Sequence, residues 1–295
     1  MPGNTAWERR VNATSELKWD VQQRLKLLEC TVLLTGWVRT QALIETFGIS
    51  RAQASKDFAV YHGLRPENLI YNKSRKYYEA SAVFEPLLLS GKASELLDAL
   101  PLMQSGAPVV ALSAQSPAMA MVKPLERELD WSLLRAVSRA ICQQIKLQVS
   151  YQSMNRPEPA VLTLSPHTLV YNGFRWHVRA FSDTHEAYRD FVLARMRGPV
   201  VLLTEQGIPD GDDTAWHTLH EVAIVPHPEL PPAQQAVIAE DYGMTDGRIV
   251  QPVRQALIPY FLRMMQIDPR RLDPDPRIQQ IVLQDVAAVR PYLWS

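Results

Sequence analysis

After Asn172-Gly173 the side chains alternate: Phe174, Trp176 and Val178 point one way, and Arg175, His177 and Arg179 point the other. A repeat of two is that of a β-strand with unlike faces. Asn and Gly both tolerate the positive φ of a two-residue hairpin loop, so 172–173 is predicted as the tight turn. The stretch Ser165 to Tyr171 supplies the strand before it, and Tyr188 to Arg197 the strand after it, with Arg189, Arg195 and Arg197 on that next strand. Upstream, Ile145 to Ser153 and Val161 to Leu164 read as further strands. Trp131, Leu134, Val137 and Ile141 recur at helical spacing and make Asp130 to Gln144 an amphipathic helix. A helix followed by four or five short strands suits a small SH3-like β-barrel. Its apolar face needs a core. Its arginine face suits an anion, because clustered guanidinium groups repel one another unless something negative lies among them. Two other outcomes stay open, pairing with Asp183, Glu186 and Asp190, or plain solvation.

The N-terminal block follows a helical period. Trp19, Leu25, Leu28 and Val32 mark a first helix, and Thr40 is placed to cap a second that ends at Phe47. Gly48 supplies the turn. Ser50-Arg51-Ala52-Gln53 has the form of a capping box that opens a third helix. Ala54, Phe58 and Tyr61 form its inward stripe, and Arg51, Gln53, Ser55 and Lys56 lie on the outer side of its first turns. This is a helix-turn-helix pattern, in which the second helix of the motif offers its N-terminal side chains to base edges in the major groove. Gln53 suits adenine, and Arg51 or Lys56 suits guanine or phosphate. Asn68 to Ala80 then reads as a hairpin whose turn, Lys73-Ser74-Arg75-Lys76, is the basic wing of a winged helix. A small helical domain with solvated charges shares much of this pattern.

Composition narrows the choice of function. The 295 residues hold 31 Lys+Arg and 31 Asp+Glu, a net charge of zero, but the charge is uneven. Residues 135–204 carry 9 basic against 4 acidic side chains, and residues 205–295 carry 7 against 13. Residues 1–85 carry 12 against 9, so polyanion contact is expected in the two basic blocks, 1–85 and 135–204. Cys30 and Cys142 have no partner at metal spacing and form no disulfide framework. The polar N-terminus lacks the apolar core of a signal peptide. The uncharged stretch Leu100 to Val122 is broken by prolines and reads as a connector with one or two short strands, not a membrane span. The expected location is cytoplasmic. No glycine-rich phosphate loop, serine elbow or placed cysteine nucleophile is visible, which leaves no enzyme, cofactor or metal expected. His217-x-x-His220 with His227 lacks a completing carboxylate or thiolate. Glu126, Glu128 and Asp130 form a cluster that suits the dipole of a helix start. An enzyme acting on nucleotides is the reading from another class, with His167 or His177 as its base.

Several of these residues carry a resemblance. Tyr151-x-Ser153, Ser165-Pro166-His167, Arg175-Trp176-His177-Val178 and Tyr188-Arg189-Asp190-Phe191 with Arg195 resemble the WYL domain of bacterial transcriptional regulators. The tripeptide that names the family is here Trp176-His177-Val178. Val225-Pro-His-Pro-Glu-Leu230, Asp241-Tyr-Gly-Met244 and Val253 to Arg263 are similar to the C-terminal extension of winged-helix WYL repressors found beside phage-defence operons of the BREX and CBASS types. The resemblance implies an α+β multidomain chain: a winged helix-turn-helix over 1–90, a connector over 91–129, a WYL ligand-sensing domain over 130–204 and an α/β dimerisation domain over 205–295. It implies a homodimeric repressor on an inverted-repeat operator in double-stranded DNA, with a nucleotide or nucleic-acid fragment as effector. The positions it assigns to the ligand pocket are Tyr151, Ser153, His167, Trp176, His177, Arg179, Arg189 and Arg195. An activator of the same architecture that responds to single-stranded DNA fits the residues equally.

Overall fold

The computed structural model describes residues 17–97, 120, 122, 125 and 127–293, and the chain divides into two compact units, 1–123 and 124–295. The connector strands expected between Leu100 and Val122 fall on residues outside those described, apart from 120 and 122. Glu126 is outside them too. No described helix is long and apolar enough to cross a membrane.

In the first unit, α1 (Trp19–Thr35) stops at Gly36, whose φ of 79° is open to glycine at little cost and whose N–H reaches Val32 O. The short strand β1 (Trp37–Val38) follows, then α2 (Thr40–Phe47) and α3 (Arg51–Leu64). Thr40 is the first helical residue of α2 and not its cap; Arg39 occupies the cap position without a side-chain bond. Gly48, at φ 64°, ends α2. Ser50 caps α3 by accepting from the Gln53 N–H at 3.1 Å. Leu25, Leu28, Val32, Leu43, Ala54, Phe58 and Tyr61 close the core, as the inward stripe of α3 predicts. The hairpin is β2 (Leu69–Asn72) and β3 (Tyr77–Ala80), with β1 added on the other side of β3. The interior also holds buried acids. Glu29 is fully buried and accepts from Tyr61 Oη and from the N–H groups of Leu87, Leu88 and Leu89. Burial raises its pKa, and those donors oppose the rise.

The second unit opens with α4 (Trp131–Gln143), capped by Asp130, which accepts from the Ser132 N–H at 2.6 Å. The buried stripe of α4 is Leu133, Val137 and Ala140, with Leu134 and Ile141 packed against the same core; Trp131, expected inside, is the first residue of the helix and is 77% exposed. The sheet is β4 (Ile145–Tyr151), β5 (Ala160–Tyr171), β6 (Trp176–Ser182), β7 (Ala187–Val192) and β8 (Met196–Gln206), all antiparallel in the order β7-β6-β5-β4-β8. The pairing gives an open sheet with β7 and β8 at its edges, so closure into a barrel is not shown. Pro166 lies inside the long strand β5, where the register shifts between Pro166 and Thr168, the bulge that a residue without an N–H requires.

The tight turn after β5 is longer than two residues. Tyr171 pairs with Trp176, which leaves Asn172 to Arg175 as a four-residue loop. Asn172 Oδ1 accepts from the N–H groups of Phe174 and Arg175, so Asn acts here through its side chain and only Gly173 takes positive φ, 83°. Phe174 and Arg175 therefore belong to the loop and not to the strand. Arg195 sits in the single turn of 3-10 helix between β7 and β8, off the strand where the alternation placed it.

Beyond β8, the short α5 (Thr214–His217) leads to β9 (Leu219–Pro226), the centre of a three-stranded antiparallel sheet flanked by β10 (Ile249–Arg254) and β11 (Ile281–Leu283). Helices α6 (Pro232–Asp241), α7 (Ile258–Met264) and α8 (Val286–Val289) accompany it, with Val222, Ile224, Ile258, Leu262 and Leu283 in a core of their own. The histidines of this region do not converge. His217 ends α5 and faces Asp210, His220 on β9 meets Gln255, and the buried His227 takes the Glu229 N–H and donates to Asp273 O.

Candidate nucleic-acid interface and anion clefts

The first turns of α3 present Arg51, Ser55 and Lys56 to solvent. Gln53 stands beside them half-buried, because its amide is held: Nε2 donates to Asp57 Oδ1 at 3.0 Å, one turn further on. Asp57 is 1% exposed and receives a bidentate pair from Arg24 of α1, at 2.7 and 3.2 Å. The capping box is thus half made. Ser50 bonds to the Gln53 backbone, while the Gln53 side chain turns forward to Asp57. Its Oε1 and second N–H keep the acceptor and donor that an adenine edge asks for.

The hairpin turn carries Lys73, Ser74, Arg75 and Lys76, all exposed. Asn72 Oδ1 organises it by accepting from Ser74 N, Ser74 Oγ and Arg75 N, and Lys76 completes it at φ 55°. Arg75 leans onto Tyr77 Oη at 2.9 Å, and that bond raises its pKa. Arg39 is a further cation of this surface that helical and strand periodicity did not single out. It lies over the rings of Trp37 and Tyr77, 5.3 and 5.8 Å from their centroids, at the base of the hairpin. The signal was Trp37-Val38-Arg39 itself, a short strand that pairs with β3.

In the second unit, seven of the eight positions assigned to one pocket separate into three places, and the eighth, Arg195, lies in the 3-10 turn between β7 and β8. Tyr151, Ser153 and Arg189 line a cleft of about 170 Å³ with Arg156, Glu158 and His185. Arg189 is exposed there, and Tyr151 Oη takes the Val192 N–H.

Arg179 is elsewhere and already occupied. It is 6% exposed, Nε and Nη2 donate to Asp213 at 2.6 and 2.9 Å, and Nη1 donates to Asp190 at 3.2 Å. Three of its five N–H donors are engaged by the protein's own carboxylates. Asp183 and Glu186 take no part; Asp183 pairs instead with Lys146. His167 joins the same group, Nε2 against Asp213 Oδ2 and Nδ1 against Thr168 Oγ1. Burial outweighs the attraction of Asp213 and lowers the His167 pKa. Burial would raise Asp213, but the Arg179 guanidinium prevails and its pKa is lowered. For Asp190 burial prevails over Arg179, and its pKa is raised. Tyr260 of α7 donates to Asp190 Oδ2 at 3.1 Å, so the network runs from the five-stranded sheet into the C-terminal domain.

The third place is the loop end of β6. His177 is 1% exposed, its ring 5.1 Å from that of Tyr260, and its Nδ1 has no partner. Burial, and then Arg175, push its pKa down to about 4, so the ring is neutral at neutral pH. Trp176 is half exposed and leans on Tyr171, with centroids 5.0 Å apart. Arg175 lines a cleft of about 400 Å³ with Phe174, Tyr260, Arg263 and Met264. Among the described residues no group of His, Cys, Asp and Glu is arranged to hold a metal ion.

Three family models match the chain in this order. Residues 20–101 match the BrxR transcriptional regulator winged helix-turn-helix domain, residues 132–201 the WYL domain, and residues 219–289 the BrxR transcriptional regulator C-terminal dimerization domain. The chain is 33% identical to the DNA-binding transcriptional repressor CapW of Pseudomonas aeruginosa, over 91% of this chain and 90% of that one. It is 32% identical to CapW of Escherichia coli over the same shares, and 29% identical to CapW of Stenotrophomonas maltophilia over 96% and 95%. A solved chain titled proteasome accessory factor B/C (PafBC) of Arthrobacter aurescens overlaps 92% of this chain and 47% of its own length, at 16% identity and a TM-score of 0.26, too low to describe a shared arrangement.

Proposed function

Because the chain belongs to the BrxR and CapW family of transcriptional regulators, we propose that it is a DNA-binding repressor acting as a homodimer on an inverted repeat beside a phage-defence operon. The observation that carries this reading is the pairing of two exposed cationic features in one small domain. One is the Ser50-capped start of α3 with Arg51, Ser55 and Lys56. The other is the ordered basic turn Lys73 to Lys76. In this reading α3 lies in the major groove, Gln53 and Arg51 read base edges, and the wing and Lys56 touch phosphates. The C-terminal domain joins two copies, so half-sites lie one helical turn or a multiple of it apart.

The WYL domain takes an anionic nucleotide or nucleic-acid fragment in the cleft of Tyr151, Ser153 and Arg189, and Arg179 is the strut beneath it. An effector releases the operator only if it binds the released state better than the bound one. The test is a gel shift with the palindrome upstream of the neighbouring genes. Expected is a dimer that prefers this fragment over random duplex by about a thousandfold or more. Equal affinity for both overturns the proposal.

A further inference from the structure

We propose that the cleft between the loop after β5 and helix α7 is a second anion site, which binds a phosphomonoester carried on a planar ring, of the nucleoside monophosphate class. It shares no lining residue with the cleft of Tyr151, Ser153 and Arg189 and stands independently of it.

Four features support it. The first is an unmet donor: Arg175 Nε is buried and has no hydrogen-bond partner, although buried guanidinium donors are nearly always satisfied. The second is a one-sided field. Burial lowers the Arg175 pKa, and Arg195, Arg127 and Arg263 act on it as like charges in the same direction. Among the described residues Arg127, Arg175 and Arg195 form no ion pair. Asp190, the carboxylate that Tyr260 touches, is already shared between Tyr260 and Arg179. An oxyanion with several acceptor lone pairs relieves both conditions at once, and Arg forks match phosphate oxygens in pairs.

The third feature is space. About 400 Å³ is room for a mononucleotide, more than an inorganic ion fills. The fourth is the rim. Phe174 and Met264, which line the cleft, are about half exposed, and Arg127 covers one side of the Phe174 ring at 4.9 Å. A planar ring lies well against such a rim, and a compact inorganic anion gains nothing from it. Met264 lies 3.5 Å from where a Cβ on Gly173 would stand, so the loop backbone itself forms one wall.

The experiment is calorimetric titration of the full-length protein, at low salt, with adenosine 5′-monophosphate, adenosine, inorganic phosphate, and trithymidylate with and without a 5′-phosphate. Expected is saturable binding of the monophosphate, with adenosine and inorganic phosphate each weaker by about tenfold or more. Arg175→Met lowers that affinity by a similar factor, and Arg127→Gln, a change at an exposed residue that leaves folding intact, lowers it several-fold. Arg189→Met leaves it in place, which separates this site from the effector cleft. If only the 5′-phosphorylated strand binds, the source of the phosphomonoester is a strand end, and the assignment stands. Equal binding of adenosine and its monophosphate overturns it. So do wild-type titrations from both Arg175→Met and Arg127→Gln, or loss of binding in Arg189→Met.

Discussion

The clearest quantitative test lies in the ion pair between Arg179 and Asp213. Asp213 is 2% exposed and accepts from Arg179 Nε and Nη2 and from the Trp216 N–H, with His167 Nε2 against the same oxygen that takes Arg179 Nε. Asp213→Asn preserves shape and one acceptor but leaves the guanidinium buried with half its partners. Removing one member of a buried pair costs about 3–5 kcal/mol, and the surviving Asp190 bond at 3.2 Å sets the expectation at the lower end, about 3 kcal/mol. Urea unfolding of the wild type, Asp213→Asn, Arg179→Met and the double variant measures it. The double variant should be less unstable than the sum of the singles by about 2 kcal/mol, since Met removes the stranded charge. The pair should also fade in acid. The Asp213 pKa is lowered in the folded state, so its contribution is full above the ordinary carboxylate range and is lost as pH falls through the folded value. A cost below about 1 kcal/mol at neutral pH, or strict additivity, would refute the claim that this pair ties the sheet to the C-terminal domain.

Three further outcomes are expected. Gln53→Ala with Lys56→Ala should erase preference for the operator over random duplex, at about 1–3 kcal/mol for each base edge no longer read, while sedimentation still shows a dimer. Lys73→Ala and Lys76→Ala should each flatten the dependence of log affinity on log salt by about one, equally for specific and random duplex. His177 is held neutral with a pKa of about 4, so the unfolded chain takes up its proton first as pH falls. Stability should drop by about 2 kcal/mol between about pH 7.5 and 5, flatten below the folded value, and lose this component in His177→Phe, read by denaturant midpoints.

Much of the first unit was legible because its signals are local. A serine three residues before Gln53, glycines where helices stop and an apolar triplet at helical spacing each act within one turn of chain. The strands of the second unit were legible from period two. The longer loop was not, because Asn172 has two ways to make a turn, and the choice of its side chain over its backbone depends on where Tyr171 pairs. The divided pocket was hidden for a related reason. Alternation tells which side chains share a face, and His177 and Arg179 do share one. It does not tell that Asp213, 34 residues further on, returns to cover that face. Charge counts mislead in the same way: the acidic C-terminal third supplies the partner of an arginine in the basic middle.

The bond from Gln53 to a sealed carboxylate also limits how this protein can change its target. In the proposed reading position 53 meets a base edge, and its side chain answers to Asp57 as well. A side chain there that cannot donate leaves the buried Asp57 Oδ1 with the longer, 3.2 Å bond from Arg24 as its partner. A change of operator made through this position therefore carries a cost in the interior when the new side chain cannot donate, and donors such as Lys, Arg or Asn avoid it.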